Sequence, residues 1–246
     1  MLKIEQLKVG IKDRLILEGI DAHIEAGSVH AIMGPNGSGK STLAKVIAAH
    51  PAYKILEGNF KWQDESINDK DAEARAQLGI FLAFQNPLTI PGVTNMDLLM
   101  LAYKTKHKQS IDAISFLEYI MPKLELVGLD ASFLHRYVND GFSGGEKKKN
   151  EILQLAILEP KLAILDEIDS GLDIDALKQI AHSLHMLKTT QNAYVLITHY
   201  PRLLEYIKPD YVHVMQKGRI ILSGDASLAK YLERYGYDEV KKKAVV

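Results

Sequence analysis

Apolar and polar positions along the chain fall into two regimes. In the first third, short apolar runs alternate with turn signals. Leu2 to Val9 and Leu15 to Ile24 read as strands, the second followed by Ala26-Gly27. Val29-His30-Ala31-Ile32-Met33 reads as a short buried strand that stops at Gly34-Pro35. From Gly39 the spacing turns helical, through Leu43, Val46 and Ile47, and ends near Pro51. Gly79 to Phe84 is a further apolar strand. Between Asn86 and about Gly141 the pattern changes: Met96 to Tyr103 and Ile111 to Leu126 have helical spacing, and no strand is predicted between them.

The first regime then returns. A helix is predicted over Gly144 to Leu158, a strand over Leu162 to Leu165, a helix over Ile174 to Lys188 and a strand over Tyr194 to Thr198. Tyr211 to Met215 and Arg219 to Leu222 flank Lys217-Gly218, a hairpin turn, and a last helix covers about Ser227 to Tyr235. Lys241-Lys242-Lys243 reads as a solvated, frayed tail. Strands alternating with helices imply an α/β fold with a mostly parallel sheet covered on both faces, led by N-terminal antiparallel strands. The expected organisation is one domain over 1–246, with an α/β core at 1–85 and 158–246 and an inserted α-helical subdomain at 86–157. No Gly/Ser-rich or Pro-rich linker borders the insertion.

Composition narrows the chemistry. The 246 residues, 47% hydrophobic and 25% charged, suit a globular protein. Thirty basic against 31 acidic residues give a net charge of −1 and no global pull toward nucleic acid. With no cysteine, the chain has no disulfide, no cysteine nucleophile and no thiolate site for zinc or an iron–sulfur cluster. Apolar runs such as Leu98 to Ala102 are far short of the ~18 residues that span a bilayer. The first residues, Met1 to Gln6, show no signal-peptide apolar region. The expected location is the cytoplasm, without direct membrane insertion.

Gly34-Pro35-Asn36-Gly37-Ser38-Gly39-Lys40-Ser41 is a phosphate loop, placed after a buried strand and before a helix, with Thr42 next. Glycines let successive N–H groups turn toward phosphate oxygens, and the helix start adds its positive dipole end. Lys40 reaches the β- and γ-phosphates, and the Ser41 hydroxyl is suited to Mg2+. Leu162-Ala163-Ile164-Leu165-Asp166-Glu167 supplies two carboxylates at a strand's end, where ligands bind in open α/β sheets. Asp166 suits the magnesium ion through a water, and Glu167 suits the task of orienting or deprotonating an attacking water. Taken alone, two acids at a strand end also read as a solvated loop start.

Phe142-Ser143-Gly144-Gly145-Glu146, one helix before those acids, resembles the signature motif of ATP-binding cassette (ABC) ATPases, the P-loop NTPases of ABC type. Gln85 resembles the family's Q-loop glutamine, Ser170-Gly171-Leu172-Asp173 its D-loop, and His199 its switch histidine. The resemblance implies an ATPase in which Lys40, Glu167 and His199 act in catalysis. It implies ATP contacts from residues 34–42, Gln85, Ser143, Gly144, Gly145 and Asp173, and Mg2+ contacts from Ser41, Gln85 and Asp166. It also implies a second copy of the chain, since the signature of one cassette faces the nucleotide held by another. Ser143 reads equally as a helix N-cap, and the two readings are compatible.

The match is closer to the SufC-type ATPases of the SUF iron–sulfur cluster assembly system. It rests on the helix Glu146-Lys147-Lys148-Lys149-Asn150-Glu151-Ile152-Leu153-Gln154, on Ile90-Pro91-Gly92-Val93-Thr94-Asn95 after Gln85, on Asp169 to Leu177 and on Ile207 to Val214. That resemblance implies SufB and SufD scaffold subunits as partners. The competing expectation is the ATPase subunit of a membrane transporter. Lys147 to Lys149 also read as a solvated helix face. One departure from the wider family is the lack of any aromatic in residues 1–22, where an adenine platform would fall near Ile11. Tolerance of GTP beside ATP is expected.

Overall fold

The structure is a computed structural model that describes residues 1–198 and 201–244. Contacts divide the chain into two compact units. The α/β unit comprises Met1–Leu82, Lys161–Glu167 and Thr189–Val246, and the helical unit Ala83–Pro160 and Ile168–Lys188.

The chain opens with β1 (Leu2–Ile11), β2 (Arg14–Ile24), β3 (Val29–Met33) and α1 (Lys40–Ile47). It continues with β4 (Lys54–Trp62), β5 (Glu65–Ser66), α2 (Ala72–Gln77) and β6 (Ile80–Ala83). Next come β7 (Ile90–Thr94), α3 (Asn95–His107), α4 (Ala113–Val127), a 3-10 turn at Ala131–His135, β8 (Tyr137–Val138) and α5 (Gly144–Leu158). The remainder is β9 (Leu162–Asp166), α6 (Ile174–Leu187), β10 (Ala193–Ile197), α7 (Pro201–Tyr206), β11 (Tyr211–Gln216), β12 (Arg219–Gly224) and α8 (Ala226–Ala244). No helix among the described residues is long and apolar enough to cross a membrane.

In the α/β unit, β2, β1, β4 and β5 form an antiparallel sheet. A second sheet has the order β12-β11-β3-β10-β9-β6. Its strands β11, β3, β10 and β9 run parallel, and β12 closes the edge antiparallel to β11. Every residue of β3, β9 and β10 is buried. This is why they read as unbroken apolar runs, the mark of strands covered on both faces. The apolar side chains of both sheets and of α1 meet in one core that includes Leu7, Leu17, Leu43, Phe60, Ile164 and Val195. Arg75 on α2, 1% exposed, donates to the carbonyls of Val46 and Ile47 at the end of α1, both at 2.9 Å. A cation there satisfies acceptors that the helix itself leaves open.

The helical unit packs α3, α4 and α6 around α5. Gln179 and Ser183 of α6 both donate to the Leu126 carbonyl at the end of α4, at 2.7 and 2.8 Å. Those bonds draw α6 into this unit, which reaches beyond the segment 86–157 marked out from sequence.

Three features depart from expectation. The insertion is not wholly helical, because β7 and β8 pair antiparallel. A two-residue strand and one containing Pro91-Gly92 show no readable period. β4, β5 and α2 form where no element is predicted, since β4 mixes exposed and buried positions irregularly. The expected frayed tail is instead helical, as α8 continues to Ala244.

Candidate active site

β3 ends at Met33 and the chain turns through the phosphate loop into α1. Gly34 has φ 158°, and an added Cβ would lie 2.2 Å from the Met215 carbonyl oxygen, so only glycine fits. α1 begins after Gly39, which has no side chain to cap it. The first N–H groups of the helix, starting at Lys40, Ser41 and Thr42, therefore have no intrahelical acceptor and form an anion cradle. Lys40 is 5% exposed and folds back to donate to the carbonyls of Gly34 at 2.8 Å and Pro35 at 3.2 Å. Burial lowers its pKa, while Glu167 and Asp166 oppose that shift. An ammonium with few water contacts and weak carbonyl partners is poised to exchange them for phosphate oxygens.

Asp166 ends β9, 2% exposed, and accepts a hydrogen bond from the Ser41 hydroxyl at 3.0 Å. A hydroxyl and a carboxylate side by side at an anion cradle are the oxygen donors that Mg2+ prefers, so these residues fit that ion. Glu167 follows, 8% exposed, with its N–H donating to the Ile197 carbonyl at 2.9 Å. Its φ of 50° is left-handed, which for a glutamate costs about 1–2 kcal/mol. The strain turns the second acid out of the strand's alternation. The α/β unit thus brings together residues 34–42, Asp166 and Glu167.

Gln85, Ser143, Gly144, Gly145 and Asp173 belong to the helical unit. Ser143 caps α5: its Oγ accepts from the Glu146 N–H at 3.2 Å, and its own N–H donates to Glu146 Oε2 at 2.8 Å. Arg136 pairs with Glu146 and lies 4.2 Å over the Phe142 ring, which braces the motif. The cap uses Ser143 Oγ as an acceptor. Asp173 is committed as the N-cap of α6, accepting from Ala176 N–H at 2.7 Å. His199 lies outside the described residues.

The sequence reading missed a buried polar seam on α5. Lys148, taken for part of a solvated face, is 4% exposed and pairs with Glu151 at 3.4 Å. Its ammonium donates to the carbonyls of Phe84 at 2.7 Å and Gln85 at 2.9 Å, while Glu151 accepts from Phe84 N–H at 2.5 Å. The backbone around Gln85 is therefore fastened to α5. Asn150 extends the seam, donating to Asn95 and Asn139, both at 3.1 Å. A signal existed: Lys148 and Glu151 lie four and one residues before Ile152 and seven and four before Leu155, on the face those apolar residues bury.

Known proteins agree with this geometry. The sequence model of the ABC transporter family matches residues 17–170. The chain is 55% identical over 246 residues to the "Probable ATP-dependent transporter ycf16" of Antithamnion sp., covering 98% of each chain. It is 52% identical over 242 residues to the "Probable ATP-dependent transporter slr0075" of Synechocystis sp., covering 97% of this chain and 94% of that one. With the "ABC transporter I family member 6, chloroplastic" of Arabidopsis thaliana it shares 47% over 246 residues, 98% of this chain and 73% of that one. Among solved structures, the dimeric ABC transporter cassette MJ0796 superposes with TM-score 0.80 at 21% identity, covering 92% and 99% of the two chains. The ADP conformation of the cassette MJ1267 gives TM-score 0.76 at 25% identity, covering 96% and 95%. A phosphate loop, strand-end acids and a capped signature helix, in a chain matched over most of its length by these relatives, make it a member of the ABC transporter family and one of its ATP-hydrolysing cassettes.

Proposed function

We propose that this cassette is the cytoplasmic ATPase motor of a SUF-type iron–sulfur cluster assembly complex, working as an ATP-dependent head-to-tail pair on SufB and SufD scaffold chains. One observation carries the paired arrangement. A Cβ added at Gly144 or Gly145 would meet nothing nearer than 3.9 Å, and neither residue is in the left-handed region. The chain's own packing does not require glycine there. Close approach of a ligand from outside the chain does, and the triphosphate held by a second copy is such a ligand.

In this reading Lys40 leaves its loop carbonyls for the β- and γ-phosphates. Ser41, Asp166 and Gln85 would hold Mg2+, which neutralises charge on the phosphate oxygens. Glu167 orients or deprotonates the attacking water, His199 contacts the γ-phosphate, and the partner's Ser143 and Gly145 clamp the triphosphate. Catalysis is then positioning and charge stabilisation. Loss of the γ-phosphate removes the group that bridges the two copies, and the seam from Lys148 and Glu151 to Phe84 and Gln85 passes the change to a docked scaffold.

The scaffold assignment rests on the resemblance of residues 146–154, 90–95 and 207–214 to SufC-type ATPases. A second reading, the ATPase subunit of a membrane transporter, is favoured by the word transporter in the relatives' names. Co-purification with the Glu167→Gln variant, with and without Mg-ATP, separates them. ATP-sensitive recovery of soluble SufB and SufD supports the SUF motor. Recovery of a membrane-embedded permease overturns it in favour of the transporter.

A further inference from the structure

We propose that Ser38 is a positioning residue for the phosphate loop, whose hydroxyl takes over the Gly34 carbonyl when Lys40 turns to phosphate. The proposal rests on the reading in which Lys40 exchanges its loop carbonyls for phosphate oxygens. Ser38 is 2% exposed, and its Oγ is closed off from solvent without a hydrogen-bond partner among the described residues. Buried polar groups are costly to leave unpaired, and nearly all are paired. The backbone of Ser38 is fully used. Its N–H donates to the Pro35 carbonyl at 3.2 Å, and its carbonyl accepts from the Gly218 N–H at 2.9 Å. Only the hydroxyl is idle.

That hydroxyl lies against Gly34. A Cβ built on Gly34 would be 2.9 Å from Ser38 Oγ, and the Met215 carbonyl oxygen of β11 comes within 2.2 Å of the same point. The Oγ therefore sits at the root of the loop. The Gly34 carbonyl is held by Lys40 at 2.8 Å. The Pro35 carbonyl accepts from Lys40 and from the Ser38 N–H, both at 3.2 Å. Departure of the ammonium leaves Pro35 with a donor and takes from Gly34 its bond to Lys40. Ser38 lies four residues after Gly34, and a serine hydroxyl readily bonds a carbonyl three or four residues back. Rotation about one side-chain bond supplies the new donor, while Pro35 and Gly218 keep the Ser38 backbone in place. The hydroxyl is thus unpaired before the nucleotide binds and paired afterwards. Its contribution falls on nucleotide affinity and not on the stability of the free chain.

Ser38→Ala removes only the hydroxyl. In the otherwise wild-type chain, Kd for Mg-ATP and Mg-ADP should rise about fivefold, the loss of one ordinary hydrogen bond. The thermal midpoint of the nucleotide-free protein should stay level or rise. In a Lys40→Met background the Gly34 carbonyl lacks its ammonium from the start, so there Ser38→Ala should lower the nucleotide-free midpoint. A plain packing role would lower it in both backgrounds. Unchanged Kd in Ser38→Ala overturns the proposal. So does a lowered nucleotide-free midpoint in the otherwise wild-type chain, or an unchanged one in the Lys40→Met background. Lys40→Met alone tests the reading beneath it. Mg-ATP binding at wild-type strength in that variant would show that Lys40 does not serve phosphate, and the proposal would fall with that reading.

Discussion

The two units hold their interiors together in different ways. The α/β unit rests on a continuous apolar core drawn from both sheets and α1. Its candidate acids, Asp166 and Glu167, sit at the end of a buried strand. The helical unit has a polar seam through its centre, where Lys148, Glu151, Asn150, Asn95 and Asn139 are all at most 4% exposed. Apolar contacts are interchangeable and give stability. Polar groups removed from water are costly without partners, so the bonds of Lys148 and Glu151 to Phe84 and Gln85 select one arrangement of that backbone against α5. The apolar core gives the phosphate cradle rigid support, and the polar seam fixes the backbone of Phe84 and Gln85 against α5.

The largest test breaks the seam. Lys148→Met leaves Glu151 buried without its cation and should destabilise the chain by about 3–5 kcal/mol in urea unfolding. Lys148→Met combined with Glu151→Leu should recover most of that loss. If the single variant is as stable as wild type, the seam is not the joint described. The complementary test is chemical. Glu167→Gln should leave folding and Mg-ATP binding intact and reduce hydrolysis at least a hundredfold, about 2.7 kcal/mol of barrier. Near-normal turnover would remove Glu167 from its role.

A third test asks whether the α/β unit is free of polar liabilities, and it is not. His30 Nδ1 lies 3.0 Å from His213 Nε2, with Ser28 Oγ 2.9 Å from the other end of His30 and Ser223 Oγ 2.8 Å from the other end of His213. Burial, reinforced by His213 and His23 and opposed by Asp210, pushes His30 down from 6.5 to about 4. Burial lowers His213 as well. Unfolding frees both rings to take up protons below the ordinary value of 6.5. Stability is therefore lost as pH falls from about 6.5 toward about 4, by about 2 kcal/mol per histidine of His30's shift at pH 5. Urea midpoints at pH 7 and pH 5 measure this, and His30→Gln should flatten the difference. The smallest effect concerns the base. Without an aromatic in residues 1–22, GTP should be hydrolysed within about tenfold of ATP, since a stacking platform contributes about 1–3 kcal/mol. A preference of several hundredfold for ATP in competition assays would show that another platform exists.

The buried strands β3, β9 and β10 and the loop after β3 were legible because each is a short contiguous pattern. A run of apolar residues ending in Gly34 or Asp166 needs no knowledge of distant chain to be read. β7 and β8 were not legible, because their pairing joins Ile90 to Val138 across a long separation. Lys148 was misread because its burial depends on carbonyls at Phe84 and Gln85, far away in sequence. Asp173 was read for its motif, and its carboxylate proves to cap α6 as well.

Local spacing by itself determined the α/β character, the phosphate loop, the strand-end acids and the capped signature helix, since those depend on neighbours along the chain. Tertiary structure alone decided which charges are buried, which helix joins which unit and where Ser41 and Lys148 find their partners. Those outcomes are set by desolvation and hydrogen bonding between segments far apart in sequence, which no local pattern encodes.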